Sequence, residues 1–307
     1  MKTDRLLRIL IVISAIASAY AERVYARDSA DITPRVECSA SLRSVPSFVW
    51  RGASGRGYSD DAPAMWEEGI LRVDVSEGNC PFALVVDTNA TLLAGASGSI
   101  QMILSDSPGG VDLGRTALDP ISSPFSGTGS LGEAQEFGIY LSLPEGQTVR
   151  AGDYATSVPV RLFLMESGMP VQVDEAMIDV SAMVGARLSV DARSFVSGVA
   201  DVSLGDLSQG FSHSLDFDIE GNTPVSVSVN SANRGSLKHD KADISIPYRA
   251  ILEGRLLDLS AGGDMAMFDL DPTRARTLSM EIEGDPPQKP VAGVYADTLT
   301  LVFRSEM

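Results

Sequence analysis

The sequence predicts an all-β protein made of two tandem copies of one β-sandwich domain, and three observations predict it. AGDYATSVPVRLF (residues 151–163) and AGVYADTLTLVF (residues 292–303) carry the same Ala-Gly-x-Tyr-Ala start before a β-like run, 141 residues apart. The match extends upstream without a gap, so that Gln147, Ala151, Gly152, Tyr154 and Ala155 recur as Gln288, Ala292, Gly293, Tyr295 and Ala296, and the alternating Phe137, Ile139 and Leu141 recur as Leu278, Met280 and Ile282. Finally, short runs with apolar residues at every second position follow one another with Gly, Pro and Asn between them, the mark of half-buried strands, and no helix longer than a turn or two is expected. Such a series favours a sandwich over an α/β fold.

Taken in order, the chain begins with MKTDRLLRILIVISAIASAYA, in which a basic start, an apolar stretch from Ile9 to Ala17 and an Ala-x-Ala site read as a secretory signal peptide over residues 1–21. The apolar stretch is too short for a membrane span, which needs about 20 residues. Removing residues 1–21 takes away three positive charges and one negative, moving the net charge from −17 to −19. A surface so acidic repels phosphate backbones and anionic lipid, so no nucleic acid partner is expected.

Residues 22–33 are short, charged and weakly patterned, and RVECSAS (35–41) opens the first strand. From Trp50 to Glu68 no period is sustained, which reads as a long loop. Strands are expected at ILRVDVS, FALVVDT and SIQMILS, followed by a Gly, Ser and Pro-rich passage from Asp106 to Gly132 and by a hairpin from Phe137 to Leu164. The expected boundaries are 22–165 for the first domain, 166–175 for a linker and 176–307 for the second, whose runs AMIDVSAMVGARLSV, SLDFDIE, PVSVSVNS, ADISIPYRAIL, TLSMEIE and YADTLTLVF are still more regular. At the repeated corners Gly152 and Gly293 are expected to supply an unusual backbone angle. Tyr154 and Tyr295 either return a hydroxyl to the backbone, as a tyrosine corner does, or simply face the core.

Cys38 and Cys80 both fall in the first half, and an even count in an exported protein reads first as a disulfide. Closing that gap stabilises by about 3–4 kcal/mol on loop-entropy grounds. Catalytic chemistry has little to stand on. His213 and His239 are the only histidines, too few for a metal cluster or a triad, and Asp60-Asp61 reads as a solvated pair. GGDMAMFDLD lacks the spacing of a calcium loop. No catalytic residue, cofactor or metal is therefore expected, and the chain reads as a non-enzyme. For binding, Trp50, Tyr58, Met65 and Trp66 gather in the long loop and Phe125 stands in a second one. If exposed they form an apolar adhesive patch, and if buried they are ordinary core.

An immunoglobulin-like sandwich would place a further strand after YADTLTLVF, yet only Arg304 to Met307 follow. The second domain is thus expected to lack its closing strand and to leave a groove along Tyr295, Leu299, Leu301 and Phe303, an open edge suited to a strand from another chain. The first copy continues through MPVQVDEAMIDV and has residues to close itself.

SANRGSL (231–237), IPYRAILEG (246–254) and AGVYADTLTLVF resemble the turn, central strand and terminal strand of spore coat protein U-like subunits of archaic chaperone–usher pili. The first half resembles them through Cys38, Cys80 and FGIYLSLPEGQTVRAGDY, whereas the second half departs in having no cysteine. The resemblance implies a tip adhesin: a receptor-binding domain followed by a pilin domain completed by donor-strand complementation. Its implied partners are a periplasmic pilus chaperone, an outer-membrane usher, a neighbouring subunit that donates a strand and an unidentified surface receptor. It also implies passage through the periplasm to a pilus at the cell surface. ERVYARDSADITP offers few alternating apolar residues and looks like a poor donor itself. Two alternatives remain open at this stage, a non-tip subunit of the same pilus and a free secreted β-sandwich binding carbohydrate or calcium.

Overall fold

The structure is a computed structural model that describes residues 38–87, 92–113, 119–166, 168–192, 198–260, 264–289 and 291–306. The expected signal peptide and the segment 22–37 lie outside the described residues. Among the described residues every long regular element is a strand, as the period-2 patterning predicts, and the helical pieces are single 3-10 turns such as Pro120–Ser122 and Leu207–Gln209.

The first half holds β1 (Ser39–Ser44), β2 (Ser47–Trp50), β3 (Glu67–Glu77), β4 (Cys80–Val86), β5 (Leu92–Gly95), β6 (Gly98–Gln101), β7 (Ile103–Ser105), β8 (Phe125–Gly129), β9 (Ala134–Ser142), β10 (Gly152–Glu166) and β11 (Met169–Val184). One sheet runs β1-β3-β9-β7 and the other β2-β11-β10-β4-β8, with β5 attached to β10 and β6 to β5. The two faces meet in a single core to which β3 contributes Leu71, Val73 and Val75, β9 Ile139 and Leu141, β10 Val158, Val160 and Leu162, and β11 Ile178 and Val180.

The second half holds β12 (Leu188–Asp191), β13 (Phe211–Gly221), β14 (Val225–Ser231), β15 (Ser236–His239), β16 (Ser245–Pro247), β17 (Arg249–Leu252), β18 (Arg255–Leu256), β19 (Asp264–Phe268), β20 (Arg276–Gly284), β21 (Tyr295–Ala296) and β22 (Leu299–Ser305). Its sheets run β12-β13-β20-β17-β18, β19-β14-β22 and β16-β15-β21 around a second, separate core.

The pairing pattern repeats. β3 and β9 lie side by side as β13 and β20 do; β10 pairs with β4 as β22 pairs with β14; β8 flanks β4 as β19 flanks β14; and β5 pairs at Tyr154 as β15 pairs at Tyr295. β11 is the exception, because among the described residues no strand of the second half takes its place.

Two expectations are corrected. Residues 137–164 are not a hairpin: β9 belongs to one sheet and β10 to the other, so the chain crosses from sheet to sheet through residues 143–151. Residues 166–175 are not a linker, since β10 and β11 form the true hairpin, in register from Gly152↔Val184 to Glu166↔Met169, with an irregularity between Leu162 and Phe163. That break in alternation, together with Pro170 and the acidic Asp174-Glu175, makes the stretch look like a junction in the sequence, while its backbone continues the ladder. The first half therefore extends to Val184, and the passage to β12 is made by residues 185–187.

Candidate functional site

β22 pairs with β14 along one edge, Leu299↔Ser231 to Ser305↔Val225, and its other edge has no strand partner among the described residues. Beside that edge lies a groove of about 1420 Å³. One wall is β21 and β22, with Tyr295, Leu299, Leu301 and Phe303 facing in and only half-buried. The floor is apolar: Leu215 and Phe217 of β13, Leu237, Ile246, and Met280 and Ile282 of β20, with the Phe303 ring centroid 5.4 Å from that of Phe217. Residues 198–208 also line the groove. All four residues expected at the groove edge are where the sequence places them.

The corner that starts β21 is held by several contacts. The Tyr295 hydroxyl donates to the Val291 carbonyl at 3.0 Å, as Tyr154 does to Arg150 at 2.8 Å, so both repeats build the tyrosine corner. Burial holds the Tyr154 hydroxyl above its ordinary titration range, against a smaller opposite effect of Arg150. Gly152 has φ +143° with open space around it, as expected of a corner glycine. Gly293 does not share this role. Its φ is not positive, and a Cβ there would collide with the His239 ring, so it is small in order to admit that ring. His239 Nδ1 accepts the N–H groups of Lys241 (2.9 Å) and Ala242 (3.0 Å), which leaves Nε2 to carry the proton and donate to the Ala292 carbonyl at 3.2 Å. The same ring stands edge-on to Tyr295 with centroids 4.9 Å apart.

Sequence reasoning missed Asp297, which interrupts the apolar stripe between Tyr295 and Leu299. Its carboxylate accepts from Ser231 Oγ (2.5 Å), Tyr248 Oη (2.6 Å) and the backbone N–H groups of Asn233 (2.9 Å) and Thr298 (2.8 Å). Burial, reinforced by that bond to Asp297, holds the Tyr248 hydroxyl well above the usual phenol range. The signal available was the repeat itself, which sets Asp297 against Thr156 at the offset of 141.

The residues proposed as an adhesive patch are mostly core. Trp50 and Tyr58 are buried, Tyr58 bonding through its hydroxyl to the Pro144 carbonyl at 2.8 Å, and Phe125 is buried edge-on against Phe137. Met65 packs partly buried on the same core. Trp66 alone is exposed, at 41%. A loop without sequence period can still send its rings inward, because the ring's burial is decided by the strands beneath it. Cys38 and Cys80 form the expected disulfide, with Cα atoms 5.5 Å apart.

Where the halves meet, Asn222 is 2% exposed; it accepts the Arg187 N–H at 2.7 Å and donates to the Gly185 carbonyl at 3.0 Å, while its own carbonyl takes the Ala151 N–H at 3.0 Å. Arg187 pairs with Asp60 and Arg150 with Asp269, each in a two-bond fork. Asp60 is thus an ion-pair partner and not half of a carboxylate dyad.

No family model and no curated protein matches the chain. Among solved structures it is similar to the chaperone–tip adhesion subunit pre-assembly complex of archaic chaperone-usher Csu pili from Acinetobacter baumannii (14% identity, 86% of this chain, 99% of that one, TM-score 0.36). It is also similar to the CupB6 tip adhesin of Pseudomonas aeruginosa (9%, 88% and 95%, TM-score 0.41) and to CfaE, the adhesive subunit of CFA/I fimbria of enterotoxigenic Escherichia coli (10%, 88% and 93%, TM-score 0.34). Identities and TM-scores this low carry no weight for function.

Proposed function

We propose that the chain is an exported two-domain pilus subunit without catalytic activity, in which the second domain is completed by a strand from another protein. One observation carries this reading: the inward residues of β22 stay half-buried over an open groove with an apolar floor, whereas their repeat partners on β10 are sealed by β11. An open sheet edge beside an apolar channel is a hazard unless something covers it, and an added strand supplies both the backbone ladder and the buried side chains. The occupant is a chaperone strand in the periplasm and, in the fibre, the segment of a neighbouring subunit delivered through an outer-membrane usher. The first domain closes itself with β11 and is free to face a receptor, which makes the subunit a tip adhesin in this reading.

The test adds a donor to the full mature chain, either as a co-expressed chaperone or as a strand fused through a flexible linker after residue 307. Each large apolar side chain buried by the donor contributes roughly 1.5–3 kcal/mol, so the melting temperature of the second transition rises and aggregation falls. A chain that remains monomeric and gains nothing from either partner sinks the proposal. The alternative, a non-tip subunit, predicts that residues 22–37 themselves complete a second copy of the groove.

A further inference from the structure

Along the inward stripe of β21 and β22 the residues run Tyr295, Asp297, Leu299, Leu301, Phe303; along the matching stretch of β10 they run Tyr154, Thr156, Val158, Val160, Leu162. The second position of the groove stripe thus holds a carboxylate, and both Asp297 and Tyr248 line the groove. In the first half β11 is tied to β10 by a short turn, so its register is set covalently, with Val180 opposite Thr156 and Ile178 opposite Val158. A strand arriving from another chain has no such tether. On a purely apolar stripe of period 2 it can slip by two residues and bury nearly the same surface.

From this contrast, and resting on the groove reading above, we propose that Asp297 sets the register and selectivity of the incoming strand, which carries a hydrogen-bond-donating side chain opposite Asp297 and apolar side chains opposite Leu299 and Leu301. Ser231, Tyr248 and two backbone N–H groups hold the carboxylate in place but bring no positive charge to it. Covering it with an aliphatic side chain leaves a charge whose partners are all neutral beneath an apolar group, an unfavourable exchange. A seryl or lysyl side chain instead brings a hydrogen-bond donor or a positive charge beside the carboxylate, and a strand slipped by two residues puts an apolar group over it. The polar position thereby acts against wrong registers as well as for the right one.

The chain's own closing strand provides the probe: a synthetic peptide of residues 174–184, DEAMIDVSAMV, whose Val180 falls opposite Asp297 when it is laid on β22 as β11 lies on β10. Its binding to the full mature protein is compared with that of peptides carrying Val180→Ser and Val180→Lys. The expected result is that both substituted peptides bind tighter, by about fivefold, the size of one net hydrogen bond. In the Asp297→Asn and Asp297→Thr proteins the order reverses in favour of the unchanged peptide. Asp297→Asn keeps the shape of the site if Asp297→Thr weakens the fold, and melting curves of both report this. A purely structural Asp297 lowers stability without altering peptide preference. Binding in which the valine peptide is preferred whatever residue stands at 297 overturns the inference and leaves the groove reading intact. Failure of all three peptides to bind overturns both.

Discussion

Strands β10 and β22 carry the same apolar stripe at the same repeat positions, but Val158, Val160 and Leu162 are 0% exposed while Leu299, Leu301 and Phe303 remain half-buried. The two strands have equivalent neighbours on one side, β4 and β14, and equivalent sheets beneath them, so the difference lies in one strand. Where β11 inserts Ile178, Val180, Ala182 and Val184 the core closes; where, among the described residues, no strand is inserted, the same pattern leaves a channel. Inward-facing residues thus define a place for a strand without filling it, and the last strand of such a sandwich determines whether the domain is finished or waiting.

Breaking the closed copy gives the largest expected effect. Ile178→Asp places an unpaired charge in the first core and should cost on the order of 4 kcal/mol or more, abolishing the first-half transition in thermal unfolding. Phe303→Ala in the open copy should cost only about 1–2 kcal/mol without a donor, because its ring is already partly in water. With a donor fused, the same substitution should approach the roughly 3–5 kcal/mol of a buried phenylalanine. Equal costs in both states would falsify the idea that the groove is filled by the donor.

Next in size is the disulfide, which the first half has and the second lacks. Cys38→Ser with Cys80→Ser should lower first-half stability by about 2–4 kcal/mol, read by denaturant unfolding, and leave the second-half transition in place.

A smaller contrast comes from the corner tyrosines. Tyr154 is 2% exposed and its hydroxyl bond is sheltered, so Tyr154→Phe should cost about 1 kcal/mol; Tyr295→Phe, at a half-exposed corner, should cost a few tenths. Alkaline titration sharpens this. The hydroxyls of Tyr58, Tyr154 and Tyr248 are all raised, chiefly by burial. Their neutral forms favour the folded state, so that contribution is complete below the ordinary phenol range and is lost as pH rises through and above it. Phenolate absorbance should show these three appearing late and together with unfolding, Tyr248 last if the second half is held closed by a donor.

The smallest effect is expected between the halves. Arg150 forks onto an Asp269 that is 69% exposed, so Arg150→Ala should change stability by less than about 1 kcal/mol and less still at high salt.

Much of this was legible in the residues. The period-2 runs set which faces are buried, and the repeat at an offset of 141 singled out Tyr154 and Tyr295 and the stripe from Tyr295 to Phe303, because alternation and a repeated local motif are short-range properties; that both hydroxyls return to the backbone was seen only in the structure. The Cys38–Cys80 bridge followed from cysteine count and placement. What sequence could not decide was anything that depends on which strand lies next to which. Residues 166–175 looked like a linker because a bulge and two acidic residues interrupt their alternation, and although MPVQVDEAMIDV offered the residues to close the first copy, only pairing with β10 makes Met169–Val184 one continuous closing strand. Whether Trp50, Tyr58 and Phe125 face solvent or core was open in the sequence because they stand in aperiodic segments, and the packing of two sheets turns them inward. Gly293 looked like its repeat partner Gly152, but its size is required by a histidine more than fifty residues away in the chain. Local pattern specifies the strand and its face; burial and partnership are long-range, so the sequence determined the stripe along β22 and raised the expectation of a groove beside it, and the tertiary structure decided which distant residues floor that groove and that Asp297 lines it.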